Sequence, residues 1–143
     1  MRQKHRRSDP LALRDVASAP VQALTAELLG GRRAASTNID SDEAAHRAVL
    51  RGIPGSALTE LLSRIQIMPR AALLTALGVS ERSLARRKAA PKALLPADEA
   101  DRLWRVAEAI AHATRVFGTQ VEAERWLQLP AIGLGGHTPI TIA

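Results

Sequence analysis

The stretch between Pro96 and Gly118 constrains the fold of this chain more than any other part of its sequence. Its core-forming residues recur at steps of three and four, a spacing that places them on one side of an α-helix. They are Leu103, Val106, Ala107, Ile110, Ala113, Thr114 and Phe117. Acidic residues in the first turns suit the positive end of the helix dipole, and the glycine ends the helix. We therefore predict one long helix here.

The kinds of apolar residue in the chain favour the same class of structure. Hydrophobic residues make up 46% of the 143 residues, whereas aromatic residues make up 2%. A core must then be packed from Leu, Ala, Val and Ile. Leu and Ala favour helices, while strands prefer β-branched and aromatic residues. The predicted fold class is all-α, with one domain or two small helical modules.

Turn residues and helix caps divide the rest of the chain into shorter helices. Pro20 can begin the first of them and Gly30-Gly31 ends it, and Ser41 is a candidate N-cap for the second. The shorter helices are predicted near residues 20–29, 41–51, 56–68, 70–77, 81–88 and 120–128. The tail over residues 132–143 is punctuated by Gly and Pro and shows little sign of a helix.

Residues 70–88 have the pattern of a helix-turn-helix. A first helix meets Gly78 and a second restarts at Ser80, so a short turn containing glycine joins the two. The positive charge is concentrated in the same region. Residues 64–92 hold seven Lys or Arg and one acid, which gives +6, equal to the net charge of the whole chain. Charge distributed in this way is expected when one face meets a polyanion such as DNA.

The second helix of this pattern is a candidate recognition helix. Its polar residues face one side while Leu84 can point inward. Arg can bind guanine edges or phosphates, and Ser can bond to either. The candidate DNA-binding residues are Ser80, Arg82, Ser83, Arg86, Arg87 and Lys88. A homodimer is expected, because helix-turn-helix proteins usually read two half-sites.

No catalytic or metal-binding arrangement is visible in the sequence. The four histidines are dispersed without the spacing of a metal-binding pair, and the absence of cysteine excludes thiolate metal sites. No apolar run approaches the roughly 18 residues needed to span a bilayer. The basic residues at the N-terminus are not followed by the apolar core of a signal peptide. We therefore expect a cytoplasmic, non-enzymatic protein with no cofactor, no metal and no membrane contact.

Several short segments between residues 56 and 140 follow one another in a specific order. They are Leu77-Gly78-Val79-Ser80, Ser83-Leu84-Ala85-Arg86-Arg87-Lys88, Leu95, Asp101-Arg102-Leu103, Phe117-Gly118, Ala123, Trp126-Leu127, Pro130 and Leu134-Gly135-Gly136-His137-Thr138-Pro139. Together they resemble the Xre/MbcA/ParS antitoxins. The sequence departs from that pattern at Ala100, where a Ser is usual.

The resemblance implies an Xre-like helix-turn-helix bundle followed by a small helical toxin-binding module. It also implies a partner toxin of the RES-domain class, which attacks NAD or transfers ADP-ribose from it. Such antitoxins inhibit by binding the toxin, and they commonly repress their own operon. The division expected here is an N-terminal arm and helix (1–40), the helix-turn-helix region (41–92) and the toxin-binding module (93–143).

The residues that the resemblance assigns to toxin binding lie near the C-terminus. They are Trp126, Leu127, Leu134, Gly135, Gly136, His137, Thr138 and Pro139. For both tryptophans, Trp104 and Trp126, the sequence leaves a core position and an interface position open. Contact with the toxin through about residues 97–140 is expected to occlude its NAD site.

Two other functions remain open from the sequence. One is a stand-alone transcriptional repressor whose C-terminal module serves only for dimerisation. The other is a pure inhibitor with a vestigial helix-turn-helix, whose positive face meets an acidic toxin surface. Salt-dependent DNA binding separates the last hypothesis from the others, because true DNA affinity falls steeply with salt.

Overall fold

The computed structural model describes residues 20–31, 41–129 and 138–142 of the chain. Within these ranges the fold is all-α, as the sequence predicts. The helices are α1 (Val21–Leu28), α2 (Asp42–Arg51), α3 (Gly55–Arg64), α4 (Arg70–Leu77), α5 (Glu81–Ala89), α6 (Ala97–Phe117) and α7 (Gln120–Leu127), and a 3₁₀ turn covers Pro139–Ile142.

One of the predicted helix boundaries was wrong. α3 stops at Arg64 instead of running to about residue 68, because Ile65 adopts an extended backbone (φ −70°, ψ 137°). The sequence over residues 132–143 shows little sign of a helix, and its described part contains only the short 3₁₀ turn. Ile140 within this turn is only 2% exposed, so burial of an apolar side chain holds the turn against the core.

The long helix α6 is the central element of the fold. It packs against α1, α2, α4 and α7. Its buried residues are Ala100, Leu103, Trp104, Val106, Ala107, Ile110, Ala111, Ala113 and Thr114. Trp104 is 8% exposed and is therefore a core residue. Since full burial of one Leu or Ile contributes about 1.5–3 kcal/mol, this side of α6 stabilises the fold substantially.

The helix α3 packs closely against α5, and a glycine permits the contact. A β-carbon on Gly55, the first residue of α3, would lie 3.3 Å from the carbonyl oxygen of Arg87 and 3.4 Å from that of Ala90. Leu84 completes the contact side of α5 and is 1% exposed. The inward face of α5 is therefore fixed by the body of the protein.

Backbone hydrogen bonds hold the segment that follows α5. The Gly55 N–H donates to the Ala93 carbonyl oxygen, and the Leu95 N–H donates to the Ile53 carbonyl oxygen, both at 2.8 Å. The segment therefore pairs with the start of α3 before α6 begins. As a result, the C-terminal end of α5 is attached to the start of α3.

A buried carboxylate joins α7 to the loop between α3 and α4. Glu124 is 0% exposed, and its oxygens accept hydrogen bonds from the backbone N–H groups of Gln66 (2.9 Å), Ile67 (2.7 Å) and Met68 (2.9 Å). Gln120 adds a side-chain hydrogen bond of 2.6 Å. Successive N–H groups of this kind form an anion-binding concavity, which an internal carboxylate fills here. We call this arrangement the Glu124 latch.

The described ranges show neither a membrane span nor a metal cluster. No helix there is both long and apolar enough to cross a bilayer. That part of the chain also lacks any group of three or more His, Asp or Glu side chains that could hold a metal ion. His46 and His112 are exposed on α2 and α6, while His5 and His137 lie outside the described residues.

Candidate functional site

The structure confirms the helix-turn-helix over α4 and α5. α4 ends at Gly78, which has a left-handed backbone (φ 69°, ψ 31°) that glycine adopts without steric cost. The N–H of Val79 then donates to the Leu74 carbonyl oxygen at 3.1 Å. Ser80 is the N-cap of α5, and its hydroxyl accepts a hydrogen bond from the Ser83 N–H at 3.1 Å. Hydrogen bonds therefore fix the turn both at the end of α4 and at the start of α5.

The exposed side of α5 carries most of the cations predicted to bind DNA. Arg82, Arg86 and Lys88 are exposed, while Leu84 on the other side is buried. Ser83 is half-buried, and its hydroxyl accepts a hydrogen bond from Arg86 Nη2 at 3.2 Å. This bond orients the Arg86 guanidinium along the helix surface.

Arg87 lies apart from the other predicted DNA-binding residues. Its Nη2 is 2.9 Å from Glu99 Oε2 and its Nε is 3.2 Å from Glu99 Oε1. Both side chains are largely buried, with 19% and 24% exposure. The ion pair joins α5 to the first turn of α6, because Glu99 faces the inner edge of the recognition helix. Arg87 thus positions α5, and its guanidinium is already engaged.

The acid at the start of α5 is also paired. Glu81 Oε1 lies 3.0 Å from Arg70 Nη2, and a second hydrogen bond of 3.1 Å joins Arg70 Nε to Glu81 Oε2. The hydrogen bonds from Arg70 lower the pKa of the Glu81 carboxyl. The carboxylate is therefore held in its charged form beside a cation.

Two alanines outside the predicted set lie in line with these arginines. Ala85 and Ala89 are exposed, and their spacing relative to Arg82 and Arg86 places all four side chains on one side of α5. We call these four residues the α5 stripe. Small side chains between arginines allow a helix to approach a groove closely, and Ala can contact a thymine methyl group. The helical spacing of these alanines relative to the arginines is present in the sequence. Alanine, however, has no polar group that would identify it as a residue in contact with DNA.

A second surface feature is an apolar groove between the end of α6, α7 and the 3₁₀ turn. It encloses about 500 Å³. Its lining residues are Ala109, His112, Ala113, Val116, Phe117, Trp126, Leu127 and Pro139. The Phe117 and Trp126 rings form one wall, with centroids 5.7 Å apart and planes tilted by 41°. We call this feature the Trp126 groove.

Two adjacent residues of α7 that were predicted to bind toxin occupy different positions in the structure. Trp126 is 41% exposed, so it is a surface wall and not a core residue. Leu127 is 2% exposed and forms the groove floor as part of the core. Their positions differ because adjacent residues of a helix point about 100° apart.

Two of the predicted toxin-binding residues of the tail lie within the described residues. Pro139 is buried and lines the groove, and Thr138, which precedes it in the chain, is half-buried. Leu134, Gly135, Gly136 and His137 lie outside the described residues. The structure therefore brings Trp126, Leu127 and Pro139 together at one groove.

Sequence reasoning missed the exposed apolar end of α6. Val116 is 76% exposed and Phe117 is 43% exposed, although Phe117 follows the core spacing of the helix. One signal was available in the sequence: two adjacent apolar residues immediately before Gly118 cannot both face the core of an amphipathic helix. Contiguous exposed apolar patches are common at sites of protein interaction.

Comparison with protein families assigns the two surfaces to two different domains. Residues 44–108 match the antitoxin Xre-like helix-turn-helix domain. Residues 112–143 match the antitoxin Xre/MbcA/ParS C-terminal toxin-binding domain. The chain belongs to the Xre/MbcA/ParS-type antitoxins. No curated protein shows significant similarity to it.

Both surfaces of this antitoxin depend on α6. The helix-turn-helix match extends to residue 108, within α6, and the toxin-binding match begins at residue 112 of the same helix. The α5 stripe lies inside the first match, and all lining residues of the Trp126 groove except Ala109 lie inside the second. One continuous helix therefore supports both family domains.

Proposed function

We propose that this antitoxin neutralises a RES-type toxin by binding it at the Trp126 groove and occluding its NAD site. We further propose that it represses its own operon as a homodimer, through α5. The observation that carries the proposal is the pairing of two chemically different surfaces in one chain. An apolar groove lies in the toxin-binding match, and a basic helix face lies in the helix-turn-helix match.

The groove has the chemistry of a protein-binding site. Its lining is apolar apart from His112, and Trp126 stands at its edge with 41% of its surface exposed. Exposed Trp is enriched among the residues that dominate interface energies. Pro139, one of the residues that the resemblance assigns to the toxin contact, lines the groove. Any catalysis belongs to the toxin in this proposal, and the antitoxin acts by steric exclusion.

The α5 stripe supports the DNA-binding half of the proposal. Its arginines are exposed, the acids nearest to them in the helix-turn-helix are ion-paired, and Ser80 caps the helix end. Recognition helices enter the major groove with their N-terminal residues toward the bases. Arg82 and Arg86 then reach guanine edges or phosphates, and Lys88 adds charge.

A Trp126→Ala variant tests the toxin-binding half. The antitoxin is co-expressed with the product of the neighbouring gene, captured by a tag, and assayed for protection of NAD. We expect wild type to form a complex and to prevent NAD loss. Trp126→Ala should weaken binding by about 2 kcal/mol, or roughly thirtyfold, because a buried aromatic anchor is removed.

Leu50→Ala is the matched control for this experiment, because Leu50 is an apolar side chain with 71% exposure on α2, outside the groove. It should bind the toxin like wild type. Equal binding by wild type and Trp126→Ala would contradict docking at the groove. Absence of any complex would favour a stand-alone repressor, and absence of salt-dependent DNA binding would favour a pure inhibitor.

A further inference from the structure

We propose that Arg102, on the second turn of α6, extends the DNA-contacting surface across the Gly78 turn and binds a backbone phosphate. The inference rests on the proposed DNA binding by α5. It places a DNA contact on the helix whose far end forms the Trp126 groove.

The position of the Arg102 side chain is the first observation. A β-carbon placed on Gly78 would lie 3.4 Å from Arg102 Cδ and 3.5 Å from its Nε and Nη1. The side chain of this exposed residue therefore lies along the turn that leads from α4 into α5. Its guanidinium is next to the start of the recognition helix, although the residue belongs to another element.

The charge environment of Arg102 is the second observation. Asp98 precedes it by four residues, which is the spacing of a helical ion pair. In the described residues these two side chains form no ion pair, whereas Arg105 does pair with Asp101 at 2.9 Å. Arg102 is turned toward Gly78 even though an acid was available on its own helix.

Two further acids of the helix-turn-helix region are engaged in ion pairs. Glu81 pairs with Arg70 and Glu99 pairs with Arg87. Within the described ranges, Arg102 therefore remains an exposed cation with no acidic partner. Arg82, in the first turn of α5, is a second exposed cation in the same part of the chain.

A phosphate is the ligand that fits this place. Arg102 lies at the turn before α5, outside the α5 stripe that would face base edges. Groups that flank a recognition helix contact the DNA backbone and set the register of the protein on the duplex. The planar guanidinium binds phosphate oxygens in a bidentate manner. The proposed contact therefore adds affinity without sequence preference.

Arg102→Met tests the contact because it removes the charge and keeps most of the side-chain stem that packs on the turn. Arg105→Met is the control, with the same change of net charge one turn further along α6. The probe is a labelled DNA duplex from the region upstream of the antitoxin gene, together with an unrelated duplex. Fluorescence anisotropy is measured over a range of salt concentrations, and circular dichroism checks the fold.

We expect Arg102→Met to weaken binding to both duplexes by about three- to tenfold, and to reduce the slope of log affinity against log salt by about one per protomer. Arg105→Met should leave both quantities near wild type. The contact is overturned if Arg102→Met matches Arg105→Met while Arg82→Ala still weakens binding. If wild type itself binds neither duplex at low salt, DNA repression and the contact fail together.

Discussion

The Glu124 side chain shows how one residue can fix the position of a helix. Its carboxylate is buried, and it accepts hydrogen bonds from three successive backbone N–H groups that lie 56 to 58 residues earlier in the chain. Hydrogen bonds to a charged group are worth more than those between neutral groups. The position of α7, and with it Trp126, therefore depends on this contact.

Glu124→Gln should destabilise the fold by about 3 kcal/mol, because an amide cannot accept all of these hydrogen bonds and brings its own donors to the site. Urea denaturation measures the free energy of unfolding. Glu122→Gln is the control, since Glu122 is 54% exposed and pairs with Arg125 at the surface. A loss no greater than that of Glu122→Gln would contradict a structural role for the latch.

Side chains with local partners could be predicted from the sequence, and those with distant partners could not. The capping roles of Ser41 and Ser80 follow from their positions before helical patterns, and the structure confirms both. Glu124 accepts hydrogen bonds from N–H groups 56 to 58 residues away in the chain. Arg87 pairs with Glu99, which is 12 residues away. Such contacts leave no periodic pattern in the sequence. The sequence alone therefore does not distinguish Arg87 from the exposed arginines of the same helix.

At the level of elements, α5 is the helix on which the proposed DNA recognition depends. Gly55 allows α3 to approach it, Leu84 anchors its inner side, and the Arg87–Glu99 ion pair attaches it to α6. These contacts leave only the outer side free. A rigidly held helix loses little conformational entropy when it binds, which favours affinity.

A double-mutant cycle on Arg87 and Glu99 tests this attachment. Arg87→Met and Glu99→Gln should each reduce the free energy of unfolding, and the coupling between them should be about 1 kcal/mol because the pair is only partly exposed. Chemical denaturation of the two single variants and the double variant gives the value. Strictly additive effects would show that the ion pair does not hold α5.

The helices themselves were largely predictable, because apolar spacing, caps and glycines act locally. The long helix α6 and the helix-turn-helix were both placed correctly. The end of α3 was not, since the chain turns there to present its N–H groups to Glu124. The 3₁₀ turn of the tail was missed because it is held by the burial of Ile140 and not by local spacing. The groove required knowledge of how α6 and α7 pack.

For the whole molecule, we expect one cooperative unfolding transition. A single hydrophobic cluster runs from Val21 in α1 to Ile140 in the 3₁₀ turn, and the Glu124 latch joins the two family domains. Urea unfolding should therefore give the same midpoint by circular dichroism and by tryptophan fluorescence, which reports Trp104 in the core and Trp126 at the groove. Two separated midpoints would contradict this expectation.

The Glu124 latch also bears on how such antitoxins can diversify. Its carboxylate lies in the toxin-binding match, whereas the N–H groups that it binds lie in the helix-turn-helix match. A hybrid that received its C-terminal half from a relative without an acid at this position would leave those N–H groups without their acceptor. We therefore expect such a hybrid to be less stable than either parent, because a buried N–H group left without an acceptor costs about 1–3 kcal/mol.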